Sequence, residues 1–243
     1  MSSWEEWQIQ FDEVYDGAYR YVDRCGEFMS AAREKYGFMP NAINISGCDM
    51  ESPDYGLYLR ASSESLIILC SNLAHRAEFI EASIYCAKKA NELFEPFSVH
   101  HDRFISRHCK FTKTSEDSFK MSLECSSQDI NAFAKVLSMA PFVQDRAFTF
   151  QSGSQQIYVK LNPIALGTPL AERKLPIQGM PRQYSKFLLK RERNIDKNLR
   201  PPSYGLGLEL AFTEIEPALD HSLADQFKKM QEYTKVIINF LSE

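Results

Sequence analysis

Glycine is scarce in this chain, with ten in 243 residues, about 4% against an ordinary ~7%. That leaves little material for the Gly-rich loops that cradle phosphates or dinucleotides, and no G-x-G-x-x-G, P-loop, G-x-S-x-G or H-E-x-x-H stands anywhere in the sequence. No cofactor is expected. The cysteines at 25, 48, 70, 86, 109 and 125 include no C-x-x-C pair and no short ligand spacing, so neither a zinc knuckle nor a dithiol motif is indicated. Met1-Ser-Ser-Trp-Glu-Glu-Trp7 has no basic start and no apolar stretch after it, so the chain reads as cytoplasmic with reduced, buried thiols. No apolar run approaches 18 residues, and no membrane span is expected.

What is present is the composition of a globular protein, 44% hydrophobic and 25% charged. The end of the chain is its most legible part. Leu206, Leu208, Leu210 and Phe212 recur at the period of a half-buried strand. Ser222 stands three residues before Asp225, a capping spacing. Leu223, Phe227, Met230, Tyr233, Ile237 and Phe240 then follow at steps of three and four, as on a helix lying across a sheet. Gly205, Gly207 and Ala211 leave the other side of the strand nearly bare, which predicts a close neighbour, with the chain's own helix as the first candidate.

Earlier segments repeat these two patterns. Trp7, Ile9 and Phe11 alternate with polar residues in an opening strand. Ala18, Tyr19, Val22, Cys25, Met29, Ala32 and Tyr36 predict a helix stopped by Gly37. Ala42–Ile45 suggests a strand, and residues 56–61 and 65–70 a hairpin around Ser62-Ser-Glu64. A helix from Asn72 to Phe94 follows, ending before Pro96. A second hairpin is read at 104–111 and 119–125, a helix from Ser127 up to Pro141, and a third hairpin at 147–150 and 156–161. The predicted fold is α+β: a mainly antiparallel sheet built from successive hairpins, with long amphipathic helices packed on one side, in a single domain over 1–243. The recurrence of two strands and a helix is architectural, since no residue-by-residue repeat accompanies it.

Between 163 and 202 six prolines interrupt the periodicity, which predicts a long connection. From Glu172 to Pro201 it carries nine basic residues against three acidic ones, +6 by count, which leaves −10 for the rest of a chain whose total is −4. Clustered cations of this kind release counterions from a polyphosphate, and Arg182, Lys186, Lys190, Arg191 and Arg193 are the candidate phosphate-binding residues; a solvated connector leaning on the acidic body explains the same charge split. His100, His101, Asp102 and His108 invite a metal site, but an extended segment holds His100 and His108 about 26 Å apart at roughly 3.3 Å per residue, and only a sharp turn at 101–103 would gather them. No metal is expected. With no catalytic motif to anchor an activity, the sequence reads as a non-enzymatic cytoplasmic binding protein whose partner is another protein. The alternatives are nucleic-acid binding through 173–200 and an enzyme whose site is assembled from scattered residues.

Overall fold

The computed structural model describes residues 4–112, 117, 137, 140–144, 147–165, 204–217 and 221–242. Within them ten strands form one antiparallel sheet: β1 (Glu5–Asp16), β2 (Met39–Asn44), β3 (Gly47–Ser52), β4 (Leu57–Ala61), β5 (Ser65–Cys70), β6 (Ser98–Thr112), β7 (Ala140–Gln144), β8 (Ala147–Ser152), β9 (Gln155–Ala165) and β10 (Tyr204–Ile215). Three helices accompany them, α1 (Tyr21–Tyr36), α2 (Arg76–Phe94) and α3 (Leu223–Phe240). The strand order is β2-β3-β4-β5-β1-β6-β10-β9-β8-β7.

That order contains a pseudo-two-fold axis. β2 to β5 form a meander that runs inward from one edge to β1, and β7 to β10 form a meander that runs inward from the other edge to β6. A helix follows each meander, α2 after β5 and α3 after β10. Register makes the relation residue-specific. Tyr58 and Arg60 of β4 pair with Leu69 and Ile67, while Tyr158 and Lys160 of β9 pair with Ala211 and Glu209. Aligning these two Tyr-x-basic segments makes Gln10, which faces Leu69, equivalent to Ile105, which faces Ala211. Gln10 and Ile105 are themselves partners across the β1–β6 seam, so the axis passes between them. The repeating unit is therefore a strand, a four-strand meander and a helix, larger than the two strands and a helix read from the sequence.

Side-chain alternation assigns the two sides of the sheet. Ile9, Phe11, Tyr15, Leu57, Leu59, Leu66, Ile68, Phe104, Phe150, Val159 and Leu206 through Phe212 at every second position enter one core with the buried residues of the helices. The core is centred near the axis. Phe11 and Phe104 rings lie 4.9 Å apart, Phe104 and Phe227 5.2 Å, and Phe79 of α2 meets Phe227 of α3 at 6.2 Å. The three helices lie on this side, as expected.

Several sequence expectations change. α1 begins at Tyr21, and its buried stripe is Tyr21, Cys25, Phe28, Ala32 and Tyr36, which leaves Tyr19 and Val22 exposed. Gly37 does end it, at φ 66°. β3 was missed. The second hairpin does not form around 104–111, because both edges of β6 are occupied, by β1 and by β10; its other arm, 119–125, and most of the helix read from Ser127 lie outside the described residues. Pro141 belongs to β7. The first and third hairpins stand as β4–β5 and β8–β9. The long connection starts later than read, since Pro163 pairs with Leu206 in β9–β10. Pairing of β9 with β8 ends at Lys160, so Pro163 needs no donor toward that edge. No described helix is long and apolar enough to cross a membrane.

Phe104 joins both halves of the core, so truncating it removes contacts to β1, α2 and α3 together. Phe104→Ala is expected to cost about 3–5 kcal/mol in urea unfolding, at the range of large aromatic truncations. A loss under 1 kcal/mol would contradict the shared core.

Candidate functional site

The three central strands, β1, β6 and β10, carry polar rows on both of their sides. On the side turned away from the helices the row is continuous. Arg107 donates from Nε to Glu209 Oε2 at 2.8 Å and from Nη1 to Gln8 Oε1 at 2.8 Å and Gln10 Oε1 at 2.9 Å. Gln10 Nε2 donates to Asp12 Oδ1 at 2.5 Å, and Arg103 Nη2 donates to Asp12 Oδ2 at 2.6 Å. The pseudo-axis runs through this row at Gln10. It relates the Asp12↔Arg103 pair to the Gln8↔Arg107 pair, so both arginines stand at equivalent distances from the centre. Arg107 is 3% exposed, and a guanidinium so removed from water is tolerated only because its donors are engaged by a carboxylate and two amide oxygens. Farther out, Tyr58 donates to Asp49 at 2.6 Å, and Arg60 lies 3.7 Å from the same carboxylate. Tyr58, Leu69 and Ile67 form a small apolar island between these charges.

On the helix side a second row runs across one end of the strands. Glu13 faces Asp102, and Asp102 faces Glu214, so three carboxylates lie side by side on adjacent strands, all buried. Asn91 of α2 reaches both Glu13 oxygens, at 3.3 and 3.4 Å, and Ser154 donates to Glu214 Oε1. Gln226 of α3 donates to the Asp102 backbone carbonyl at 2.8 Å and lies 3.1 Å from His221 Nε2. Asp102 Oδ1 and Glu214 Oε2 have no hydrogen-bond partner among the described residues. Burial, then the Asp102 charge, pushes the Glu13 carboxyl well above the carboxylate range. Burial likewise raises Asp102 to about 6, against the pull of His221. Both shifts favour the protonated forms of this pair.

The pseudo-axis relates Glu13↔Asp102 to the pair Glu6↔His108 at the opposite end of the seam. There Arg76 of α2 holds Glu6, His108 Nε2 sits 3.1 Å from Ser106 Oγ, and burial followed by the Arg76 charge lowers His108 to about 4. One end of the seam is thus acidic, while its counterpart pairs an anion with a guanidinium and a neutral imidazole.

The residues singled out from sequence fare differently. β6 continues as a strand through 101–103, so no turn gathers His100, His101 and His108. His100 lies 2.7 Å from Asp16, and His101 and His108 are on opposite sides of the sheet. Among the described residues no group of three or more potential ligands is placed to hold a metal ion. Gly205 is approached by the neighbouring strand rather than by α3: a Cβ there would stand 2.7 Å from Cys109 Sγ and 2.9 Å from the Lys110 carbonyl. Arg182, Lys186, Lys190, Arg191 and Arg193 lie outside the described residues. The arginine row and the carboxylate row were not read from sequence. Their only local signal is the polar parity of Gln8, Gln10 and Asp12.

No family description matches the chain, and no curated protein matches it. Among solved structures it is similar to a rolling circle replication initiator protein from Geobacillus stearothermophilus, at 7% identity over 96% of this chain and 80% of that one, with a TM-score of 0.24. A likeness that low carries no argument about this protein's fold or function.

The raised carboxyls give a pH dependence of known sign. A folded-state value above the unfolded one contributes stability that is complete below about pH 4 and lost as pH rises through the folded value. For Asp102, near 6 in the fold against 3.8 for the free group, that amounts to about 3 kcal/mol lost between pH 4 and 8 at 1.36 kcal/mol per unit. Asp102→Asn should remove most of this slope in urea midpoints measured across that range. Parallel wild-type and variant profiles would contradict it.

Proposed function

We propose that this is a non-enzymatic cytoplasmic binding protein that engages another protein. The observation that carries this reading is the paired row Glu209, Arg107, Gln8, Gln10, Asp12 and Arg103. Its cations are already neutralised by the chain's own carboxylates, with Arg103 on Asp12 and Arg107 on Glu209. A phosphate polymer would have to break these pairs and displace buried partners, whereas a protein partner needs no free cations and can seat on exposed apolar side chains. Tyr19 and Phe97, 77% and 79% exposed with their rings 5.7 Å apart, are the kind of side chain that partner surfaces use.

A second reading has its own observation. Ala165 and Tyr204, which bracket the basic segment, are register partners at one end of β9 and β10. The stretch between them is therefore an insertion into a hairpin, anchored at both ends in one place. Nine basic residues stand in the sequence between 172 and 201, and Arg182, Lys186, Lys190, Arg191 and Arg193 remain the phosphate-binding candidates of this reading.

One experiment separates the two. A photo-crosslinking amino acid at Val22 on α1, 60% exposed, is compared in cells with one at Val236 on α3. Labelled single- and double-stranded oligonucleotides are titrated in parallel against the parent and a Lys186→Glu, Lys190→Glu, Arg193→Glu variant. The first reading expects discrete protein adducts from Val22 alone and no salt-dependent oligonucleotide binding. Adducts from Val236 alone, or none, would overturn it. Binding that falls steeply with salt and is lost in the triple variant would establish the second.

A further inference from the structure

Two aromatic pairs in this structure share one geometry and differ in what covers them. Tyr36 at the end of α1 and Tyr85 of α2 meet edge to face with ring centroids 5.7 Å apart. The chain's own Lys35 caps that pair, its Nζ 4.2 Å from the Tyr85 centroid and 5.6 Å from that of Tyr36. Tyr19 and Phe97 also meet edge to face at 5.7 Å, yet both stand out in solvent, and no cation among the described residues lies over either ring. Their placement is fixed by the backbone. The Phe97 N–H donates to the Asp16 carbonyl at 2.9 Å, and the Tyr19 N–H to the Gly17 carbonyl at 2.8 Å. The Phe97 ring lies against Gly17, which has φ 65°, so closely that a Cβ there would stand 2.5 Å from Phe97 Cδ2. Arg20 and Glu95 join the two loops by an exposed ion pair at 2.5 Å. Rings held in this way lose little further freedom when something seats on them. The surroundings are acidic. Residues 16–27 and 95–100, which carry the pair, hold Asp16, Asp23, Glu27 and Glu95 against Arg20 and Arg24, four acidic minus two basic or −2 with His100 neutral. The Asp16 and Glu95 carboxylates remain open to solvent beside their partners His100 and Arg20.

We propose that the Tyr19–Phe97 pair is the seat for a lysine or arginine side chain of a partner protein, carried on a basic segment with an apolar residue beside the cation. This rests on the protein-binding reading above and adds the chemistry that the partner presents. An aromatic face is negative, so an ammonium or guanidinium group over it is attracted, as Lys35 is over Tyr85. Asp16, whose carbonyl holds Phe97, and Glu95, two residues before it, place carboxylates on the same loops to receive the cation's remaining donors. Val22, three residues after Tyr19 and exposed, offers apolar contact to the residue beside the cation. A neutral apolar segment gains from the rings but nothing from the −2 charge, and an acidic segment is repelled by it.

The test titrates the isotope-labelled full chain by NMR with three blocked tripeptides as probes, Leu-Arg-Leu, Leu-Gln-Leu and Leu-Glu-Leu. Saturable shifts of the Gly17 and Phe97 amides are expected with Leu-Arg-Leu, with an affinity about threefold to fivefold lower for Leu-Gln-Leu and no binding of Leu-Glu-Leu. Tyr19→Leu and Phe97→Leu keep an apolar side chain and remove one ring face. Each should weaken Leu-Arg-Leu by about twofold to fivefold, with the melting temperature unchanged for Tyr19→Leu. The proposal is overturned if Leu-Arg-Leu gives no shifts, if the arginine and glutamine peptides bind equally, or if both variants bind as the parent does. The crosslinker at Val22 tells this failure from failure of the protein-binding reading. Adducts in cells that are lost in a Tyr19→Leu, Phe97→Leu double variant, with lysine or arginine in the crosslinked partner peptide, are the expected result. Adducts that persist in the double variant leave protein binding standing and remove the cation seat, whereas a parent chain with no adducts from Val22 removes both.

Discussion

The antiparallel seam between β1 and β6 is the constraint on which the rest of the structure depends. Each strand is the inner member of its own half, and each spends one edge on its meander and the other on its counterpart. Neither half alone would cover the Phe11, Phe104, Phe79 and Phe227 cluster, because the aromatic rings come from both sides of the axis. An exposed strand edge with an apolar side is also a hazard for aggregation, and pairing the two inner edges removes it at the centre of the molecule. The seam therefore settles strand order, the meeting of α2 with α3, and the place where polar side chains must find partners across the axis.

Those polar side chains show what a pseudo-symmetric seam does to charge. Positions related by the axis share backbone geometry but not chemistry: Asp12 corresponds to Arg107, and Glu13 to His108. On the side away from the helices this asymmetry is used constructively, since a carboxylate on one strand meets a guanidinium on the other. On the helix side it leaves three carboxylates together at one end, where burial raises Glu13 and Asp102 toward their protonated forms. The same seam thus holds one row of satisfied ion pairs and one row whose stability depends on pH.

Legibility from sequence followed the range of the interaction. The strand 204–212 and the helix after it were readable because their signals are local: a period of two, a period near 3.6, and Ser222 accepting from the Asp225 amide at 3.2 Å. The hairpins β4–β5 and β8–β9 were readable for the same reason. β3 was missed because Cys48 and Met50 are two apolar positions in a polar hexamer. The pairing of Asp12 with Arg103 was out of reach, because 91 residues separate them and each looks like an ordinary solvated charge by itself. The second hairpin failed on an alternation that was correct for β6 but silent about its partner. Gly205 was read rightly as a close approach and wrongly as an approach by the helix, since alternation puts the bare side of β10 away from α3.

The most direct test of the seam is amide hydrogen exchange on the full chain, resolved by peptide. The account predicts that β1 and β6 are the slowest-exchanging segments, that they open together, and that β2 at the edge exchanges far faster. Independent opening of 4–94 and 98–242, with unprotected amides in Gln8–Asp12 and Arg103–Arg107, would contradict a sheet held together by these two strands.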